Sequence, residues 1–253
     1  MGRQNRISEV GIESQKRRPE EMTKTFKIML TFDVDAETLW TAPDPLNDPL
    51  NSQRPSMLSQ GSYGPVVAIP RIIKLLDQYE IKSSFYIPGE TVVKYPEMVA
   101  ELHKRGHEIG NHGYTHRCPN SFDSRAKEAN EYEETNTAIE KIIGEKPKGF
   151  RAPSWEFSLN TLSIIKEMGF MYDSTMMGGD QIGMLSVFDE MSNIVEIPIN
   201  WTLCICQLKN GPRIRSKNGP LCKPLFGFTN PVTVTTHIND MGFMGKSINQ
   251  RPC

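Results

Sequence analysis

The apolar residues of this chain occur in two kinds of segment that alternate along the sequence. Short, mostly apolar runs bounded by polar or turn-forming residues predict buried β-strands, and the first of them ends at Asp33-Val34-Asp35. Between these runs, apolar residues recur every three or four positions and predict helices, one with Pro70 at its N-terminus and two that end at Gly106 and Gly144. The strands are predicted at 27–32, 83–88, from 107 onwards, 149–153, 171–175 and 194–200, and the helices at 69–76, 96–104, 123–143 and 159–168.

This alternation predicts a parallel sheet built of βα units, in one domain over residues 26–201. Residues 1–25 are polar, charged and without periodicity, and we expect them to form a disordered extension. Residues 40–64 are rich in Pro, Ser, Asn and Asp, and we expect them to form one long loop.

Polar side chains follow several predicted strands, at the end where the active sites of such folds collect. Asp33 and Asp35 are two residues apart, so in a strand they share a face and their carboxylates can meet at one point. Mutual repulsion then raises the pKa of one of them unless a cation neutralises the pair. Taken alone, a turn-forming aspartate at a strand end is the simpler interpretation. The other candidates at such strand ends are His112, His116, Arg151, Trp155 and Asp173.

The segment HGYTH places His112 and His116 four residues apart. On a helical turn such side chains lie ~6 Å apart on one face, which suits two ligands of one metal ion. Two unrelated surface histidines are the alternative. Two histidines and one carboxylate leave open positions on a metal, which lowers the pKa of bound water to about 7, and a second carboxylate can then accept a proton. The aspartate pair and the histidine pair therefore explain each other.

Three segments, LTFDVD, HEIGNHGYTH and RAPSWEFS, resemble in composition and order the first three motifs of the polysaccharide deacetylases (carbohydrate esterase family 4, NodB-like). GFMYDSTM and EIPINW resemble the branch that contains intracellular peptidoglycan-deacetylase-like proteins and their allantoinase and cyclic-imidase relatives. The resemblance runs from about residue 26 to residue 201. It implies a distorted (β/α) barrel of about seven parallel strands, and hydrolysis of a non-peptide C–N amide bond, most simply that of an N-acetyl group.

The resemblance also implies roles for the residues of the first three motifs. Asp33 matches the catalytic base, and Arg151 matches the arginine that pairs with this carboxylate and orients it. A surface salt bridge is the alternative for Arg151. Asp35, His112 and His116 match the metal ligands, usually of zinc, with another divalent ion such as Co²⁺ as an alternative.

Three more residues match positions around the substrate. Trp155 matches an aromatic wall of the substrate groove, with plain core packing as the alternative. The backbone N–H of Ser154 matches an oxyanion donor. Asp173 matches a position of the fourth motif, and a structural aspartate at a strand end is the alternative.

The family's general acid is a histidine near the end of the last barrel strand. In PVTVTTHIND, alternating β-branched residues precede His237 as such a strand would. This segment follows EIPINW sooner than in the family, and no final helix is predicted after it. An unrelated exposed histidine is therefore the alternative for His237, in a barrel that is incomplete at its C-terminus.

The composition changes after Trp201. Residues 202–253 hold seven basic residues against one acidic residue, together with four of the five cysteines. Pro212, Pro220, Pro224 and Pro231 prevent long regular elements in this range. A divergent tail, a basic binding arm and sequence of a different origin, such as a shifted reading frame, are the three interpretations, and we favour the last.

Overall composition narrows the class of protein. Lys and Arg number 29 and Asp and Glu 30, a net charge of −1 that argues against nucleic acid as a partner. No run approaches the ~18 apolar residues of a membrane span, and the first residues lack the apolar segment of a signal peptide. We therefore expect a cytoplasmic protein with no membrane partner, while homo-oligomerisation stays open.

Three functions remain in competition. The favoured one is a metal-dependent deacetylase of an N-acetylated sugar or polysaccharide, of peptidoglycan or chitin type. The second is a hydrolase of small amides or cyclic imides, because the metal chemistry is shared and no secretion signal points to a cell-wall substrate. The third is an inactive metal-binding fragment, which the altered C-terminal composition suggests.

Overall fold

The structure, a computed structural model, describes residues 26–45, 47–187, 190–200, 215–216, 219–220 and 232–238, the last three ranges by their backbone. The expected disordered extension at 1–25 and most of the range 202–253 lie outside these residues. The strands and helices are β1 (Phe26–Asp33), α1 (Thr38–Thr41), α2 (Pro55–Tyr63), α3 (Ile69–Gln78), β2 (Ser84–Ile87), α4 (Gly89–Lys94), α5 (Pro96–Lys104), β3 (Glu108–Asn111), α6 (Arg125–Ile143), β4 (Gly149–Phe150), α7 (Thr161–Glu167), β5 (Tyr172–Asp173), β6 (Gly183–Val187), β7 (Glu190–Glu196), β8 (Arg215–Ser216), β9 (Gly219–Pro220) and β10 (Val232–Ile238).

Eight of these strands form one sheet in the order β10-β1-β2-β3-β4-β5-β7-β6, and β8 pairs with β9. The six inner strands run parallel to one another: β1, β2, β3, β4, β5 and β7. The edge strands β10 and β6 pair antiparallel with β1 and β7. Helices connect the first parallel strands, as the alternating pattern predicts. Every helix in the described ranges is too short or too polar to cross a bilayer.

The two faces of the sheet differ because successive strand residues point to opposite sides. Phe32, Phe85 and Ile109 occupy matching positions on β1, β2 and β3 and belong to a buried apolar cluster with residues of α3, α5 and α6. Their neighbours Thr31, Ser84 and Glu108, also paired in register, line the other face. The apolar core thus lies between sheet and helices, and the opposite face of the sheet is polar.

That polar face is filled at its centre by two tyrosines. Tyr86 and Tyr172 approach each other with their hydroxyl oxygens 3.4 Å apart. Each lies against a glycine on a neighbouring strand, because a Cβ at Gly110 would come within 2.5 Å of the Tyr86 ring and one at Gly149 would overlap the Tyr172 ring. The pairing of glycine with tyrosine closes the interior beneath the strand ends.

The expectation of a long loop at 40–64 is wrong. Three short helical segments begin within this range: a 3-10 helix at Pro49–Gln53, α2, and a π-helical turn at Gly64–Ala68 that leads into α3. Pro49 and Pro55 both occupy the first turn, where the missing N–H costs nothing and the fixed φ favours the helix. Proline here starts helices instead of marking a loop.

Strand β10 confirms the strand predicted before His237, but its direction differs from that of a barrel strand continuing the parallel series. It runs antiparallel to β1 and pairs the backbone of His237 with Lys27, and Val232 with Phe32. His237 therefore lies beside the beginning of β1, six residues away from Asp33 along that strand. In a parallel arrangement it would have followed the strand end that carries Asp33.

Candidate active site

Asp33 and Arg151 form an ion pair at the carboxyl ends of β1 and β4. The guanidinium Nη1 of Arg151 lies 2.6 Å from Oδ1 of Asp33, and the exposed fractions of the two side chains are 0% and 2%. Nη2 donates to Thr31 Oγ1 at 3.1 Å and to Ser174 Oγ at 2.7 Å, and Nε donates to the carbonyl of Ser174 at 2.7 Å. The guanidinium also lies 4.0 Å from the centre of the Tyr86 ring. A buried pair needs such a full set of partners to offset its desolvation, so a surface salt bridge is not the environment of Arg151.

Trp155 holds the second oxygen of the same carboxylate. Its indole Nε1 donates to Asp33 Oδ2 at 3.3 Å, from a 3-10 turn at Pro153–Trp155. Ser154 and Trp155 have φ of 58° and 54°, in the left-handed region that costs a non-glycine residue ~1 kcal/mol or more. This turn sets the indole N–H against Asp33, a contact that the expected role as a groove wall does not include.

Asp35 meets His112 and His116 in a buried cluster. The Nε2 atoms of the two histidines lie 3.5 Å and 3.6 Å from Asp35 Oδ1, and one ligand atom from each residue falls within 4.8 Å of the others. These distances are too long for hydrogen bonds, and Oδ1 is a buried oxygen with no hydrogen-bond partner among the described residues. A buried, unpaired carboxylate oxygen facing two imidazole nitrogens is a donor set that suits a divalent cation such as zinc.

The titration of the cluster fits the same interpretation. Burial raises the pKa of Asp35 to about 7, with His112 lowering it and Asp33 raising it to smaller extents. Burial lowers the pKa of His116 to about 4 and also lowers the pKa of His112. Both imidazoles are therefore neutral at physiological pH, the form in which histidine binds metals.

His112 is oriented by a main-chain group. Its Nδ1 lies 2.7 Å from the carbonyl oxygen of Arg151, so the hydrogen is assigned to Nδ1 and the lone pair of Nε2 points at Asp35. The backbone carbonyl of Asp35 is fixed in turn by the hydroxyls of Thr38 at 2.5 Å and Thr91 at 2.9 Å. Helices α1 and α4 thus position Asp35, and the residue that follows strand β4 positions His112.

The two histidines do not lie on a helix, so the helical argument for their proximity is wrong although their proximity is confirmed. Residues 112–118 form an irregular loop after β3. Gly113 has φ of 68°, and His116 has φ of 60°. These two left-handed residues turn the chain back so that the imidazole rings meet edge to face with centroids 5.0 Å apart.

Asp173 is buried behind the site. Its exposed fraction is 0%, and its oxygens accept from the N–H of Thr175 at 2.9 Å and from the Thr175 hydroxyl at 2.7 Å. Thr175 Oγ1 also accepts from the N–H of Ala152 at 3.0 Å, in the segment that carries Arg151. This geometry favours the structural alternative over substrate binding. Ser154 is exposed, and its role as an oxyanion donor stays a prediction.

A second buried carboxyl lies next to Asp173. Burial first, and Asp173 second, raise the pKa of Glu196 to about 11. Burial likewise raises the pKa of Asp173. Glu196 Oε1 accepts from the N–H of Met176 at 3.1 Å, whereas Oε2 is buried without a hydrogen-bond partner among the described residues. With a pKa this high, the Glu196 carboxyl keeps its proton at neutral pH.

Sequence reasoning does not identify the residues that complete the Arg151 environment, namely Thr31, Tyr86 and Ser174. The only sequence signal for them is their position: Thr31 lies two residues before Asp33, and Ser174 lies next to Asp173. His237 is not brought to this site, because β10 carries its backbone to the other end of β1.

Comparisons with protein families, with known sequences and with solved structures all point to the polysaccharide deacetylases. A family model described as polysaccharide deacetylase matches residues 62–172. The chain is 28% identical to the peptidoglycan deacetylase of Helicobacter pylori over 204 residues. This alignment covers 72% of this chain and 68% of that enzyme. A crystal structure of a Mycobacterium smegmatis protein assigned to the polysaccharide deacetylases is 35% identical, with a TM-score of 0.62 over 69% of this chain and 59% of that chain.

A further crystal structure, that of a PuuE allantoinase, shares the fold at 24% identity, with a TM-score of 0.51 over 57% of this chain and 47% of that chain. The M. smegmatis and allantoinase structures confirm the distorted (β/α) barrel expected from the motifs. The chain spans 68% of the length of the H. pylori enzyme and 59% of the M. smegmatis chain.

Proposed function

The chain carries a polysaccharide deacetylase domain, of a hydrolase family that acts on N-acetyl C–N bonds, and on this premise we propose that it deacetylates an N-acetylated sugar or polysaccharide in a metal-dependent reaction. Peptidoglycan and chitin fragments are the proposed substrate class. The observation that carries the proposal is the unpaired buried oxygen of Asp35, which faces two imidazole nitrogens beside the Asp33 carboxylate.

Asp35, His112 and His116 are the residues that would hold the ion, and zinc is the proposed one. A divalent cation in this position supplies Lewis-acid activation of water and of a carbonyl oxygen. The ligand set leaves open positions, because it contributes three donors where zinc takes four or five.

Asp33 is proposed as the general base. Its two oxygens accept from Arg151 and Trp155 at 2.6 Å and 3.3 Å, which fixes the plane of the carboxylate beside the Asp35 cluster. A positioned base of this kind contributes ~10²–10⁴-fold to a rate. The departing amine must also receive a proton, for which His237 stays a prediction without support from the β10 register.

That register favours a second candidate: a metal-binding protein without turnover. Both candidates predict bound metal, so metal content is the first measurement. We expect about one zinc per chain by elemental analysis of the purified protein, and loss of zinc from the double variant His112→Ala/His116→Ala. A folded wild-type protein that takes up no zinc would contradict both candidates.

Turnover then separates the candidates. We expect the zinc-loaded protein to release acetate from N-acetylated chito-oligosaccharides or peptidoglycan fragments, and Asp33→Asn to keep its zinc while losing ~10²-fold or more of the rate. Allantoin and simple cyclic imides are assayed in parallel. Turnover of these compounds alone would contradict the deacetylase proposal and identify a cyclic-amide hydrolase. Bound zinc without turnover of any substrate would support the second candidate, the metal-binding protein without activity.

A further inference from the structure

The loop that carries both histidine ligands has no regular structure of its own. After β3 the chain turns at Gly113, and the N–H groups of Tyr114 and Thr115 both donate to helix α6. Successive N–H groups beside a left-handed residue form a concave site for an anion. In this protein a side chain of the same chain fills it.

That side chain is Glu131, on α6. Its Oε2 accepts from the N–H of Tyr114 at 3.0 Å and from the N–H of Thr115 at 2.8 Å. The Thr115 hydroxyl lies 3.1 Å from both carboxylate oxygens. One carboxylate therefore accepts three donors from two adjacent residues, and hydrogen bonds to a charged acceptor are about twice as strong as neutral ones.

We propose that Glu131 is a positioning residue for the metal ligands, acting by holding the loop between His112 and His116 in its ligand-presenting shape. This inference rests on the proposed metal-dependent function. Between the two histidines the other hydrogen bonds come from neutral groups: Asn111 Oδ1 accepts from the N–H of Gly113 at 2.9 Å, and the carbonyls of Gly113 and Tyr114 accept from the start of α4 at 2.9 Å and 3.0 Å. After His116, the Asp44 carboxylate accepts from the N–H of Cys118 at 3.1 Å.

The consequence falls mainly on His116. The bond from Nδ1 of His112 to the Arg151 carbonyl fixes that ring from strand β4. His116 follows one residue after Thr115 and has φ of 60°, a conformation that its neighbours must maintain. Release of the Thr115 backbone from Glu131 therefore changes the distance between the two Nε2 atoms while leaving His112 in place.

The test compares zinc affinity among Glu131→Ala, Glu131→Gln and Glu140→Gln, measured by competition with a chromophoric chelator. Outer partners of metal ligands contribute ~10- to 100-fold to metal affinity, and we expect a loss of that size for Glu131→Ala. Glu131→Gln keeps one amide oxygen as acceptor and should lose several-fold. Glu140 is an exposed glutamate on the same helix, so its variant should bind as the wild type does.

Two further readouts separate positioning from general destabilisation. Circular dichroism and the melting temperature of the metal-free proteins should show that Glu131→Gln remains folded, while the visible absorption of its Co²⁺ form changes because the ligand geometry changes. Unchanged zinc affinity and an unchanged Co²⁺ spectrum in a folded Glu131 variant would overturn the inference. Failure of the wild-type protein itself to bind zinc would instead refute the proposed function on which it rests.

Discussion

Arg151 connects more of the site than any motif suggests. Its side chain joins Asp33, Thr31 and Ser174 through hydrogen bonds, and its main-chain carbonyl orients His112. The pairing of Arg151 with Asp33 could be predicted, because the resemblance covers the residues on both sides. The contacts with Thr31 and Ser174 could not, since they depend on the ends of β1 and β5 both lying beside the Arg151 side chain.

The substitution Arg151→Lys tests this connecting role. A lysine retains the charge but cannot donate to Asp33, Thr31 and Ser174 together, so we expect kcat/KM for an N-acetylated substrate to fall ~100-fold. Zinc content should not change, because His112 bonds to the main chain of residue 151. Arg125→Lys, at an exposed pair with Glu167, is the matched control. Wild-type kcat/KM in the R151K enzyme would show that a point charge is sufficient.

At the scale of elements, the clearest difference between expectation and structure lies in residues 40–64. The abundance of Pro, Ser and Asn favours a loop, yet Pro49 and Pro55 each begin a helical segment. What stabilises α2 is tertiary contact: Gly61 packs so closely on the chain after β1 that a Cβ would lie 2.6 Å from the Cα of Glu37. A local composition pattern carries no information about such an approach.

Gly61→Ala should therefore destabilise the protein, although alanine is intrinsically the better helix former by ~1 kcal/mol. Overpacking against backbone costs ~1–3 kcal/mol, so we expect a net loss in the free energy of unfolding, measured by urea denaturation. Gln60→Ala, at an exposed position of the same helix, should leave stability unchanged or raise it slightly. A gain in stability for both variants would mean that the helix can move away from Glu37.

For the whole molecule, the order of strands and helices follows from the periodicity of the sequence. The cluster of Asp35, His112 and His116, the proposed metal ligands, follows from the motifs. The antiparallel edge strands do not follow from either, because a strand pattern fixes neither the direction nor the register of pairing. The buried carboxyl pair of Asp173 and Glu196 is equally invisible in the sequence. Its effect appears in the pH dependence of global stability.

Glu196 has a pKa raised from 4.5 to about 11 by burial and by Asp173. Between these values the folded protein holds a proton that the unfolded chain has lost, so the contribution of Glu196 to stability is fully present below pH 4.5 and is lost as pH rises toward 11. Glu196→Gln keeps an acceptor for the N–H of Met176 and supplies a permanent donor to Asp173. We expect this variant to match the wild type near pH 5 and to be more stable at pH 9 in thermal melts. Equal melting temperatures at pH 9 would show that Glu196 is ionised there.

The two glycine–tyrosine contacts inside the sheet have a consequence for how such a protein can diversify. Tyr86 and Tyr172 already occupy the space that Gly110 and Gly149 leave, so a larger residue at either glycine displaces a tyrosine ring. The Tyr86 ring packs against the guanidinium of Arg151, and the Tyr172 hydroxyl lies against that of Tyr86. A single substitution at either glycine therefore disturbs the packing beneath Asp33 and Arg151. We therefore expect sequence variation to be tolerated in the segments at the strand ends and not at these four positions.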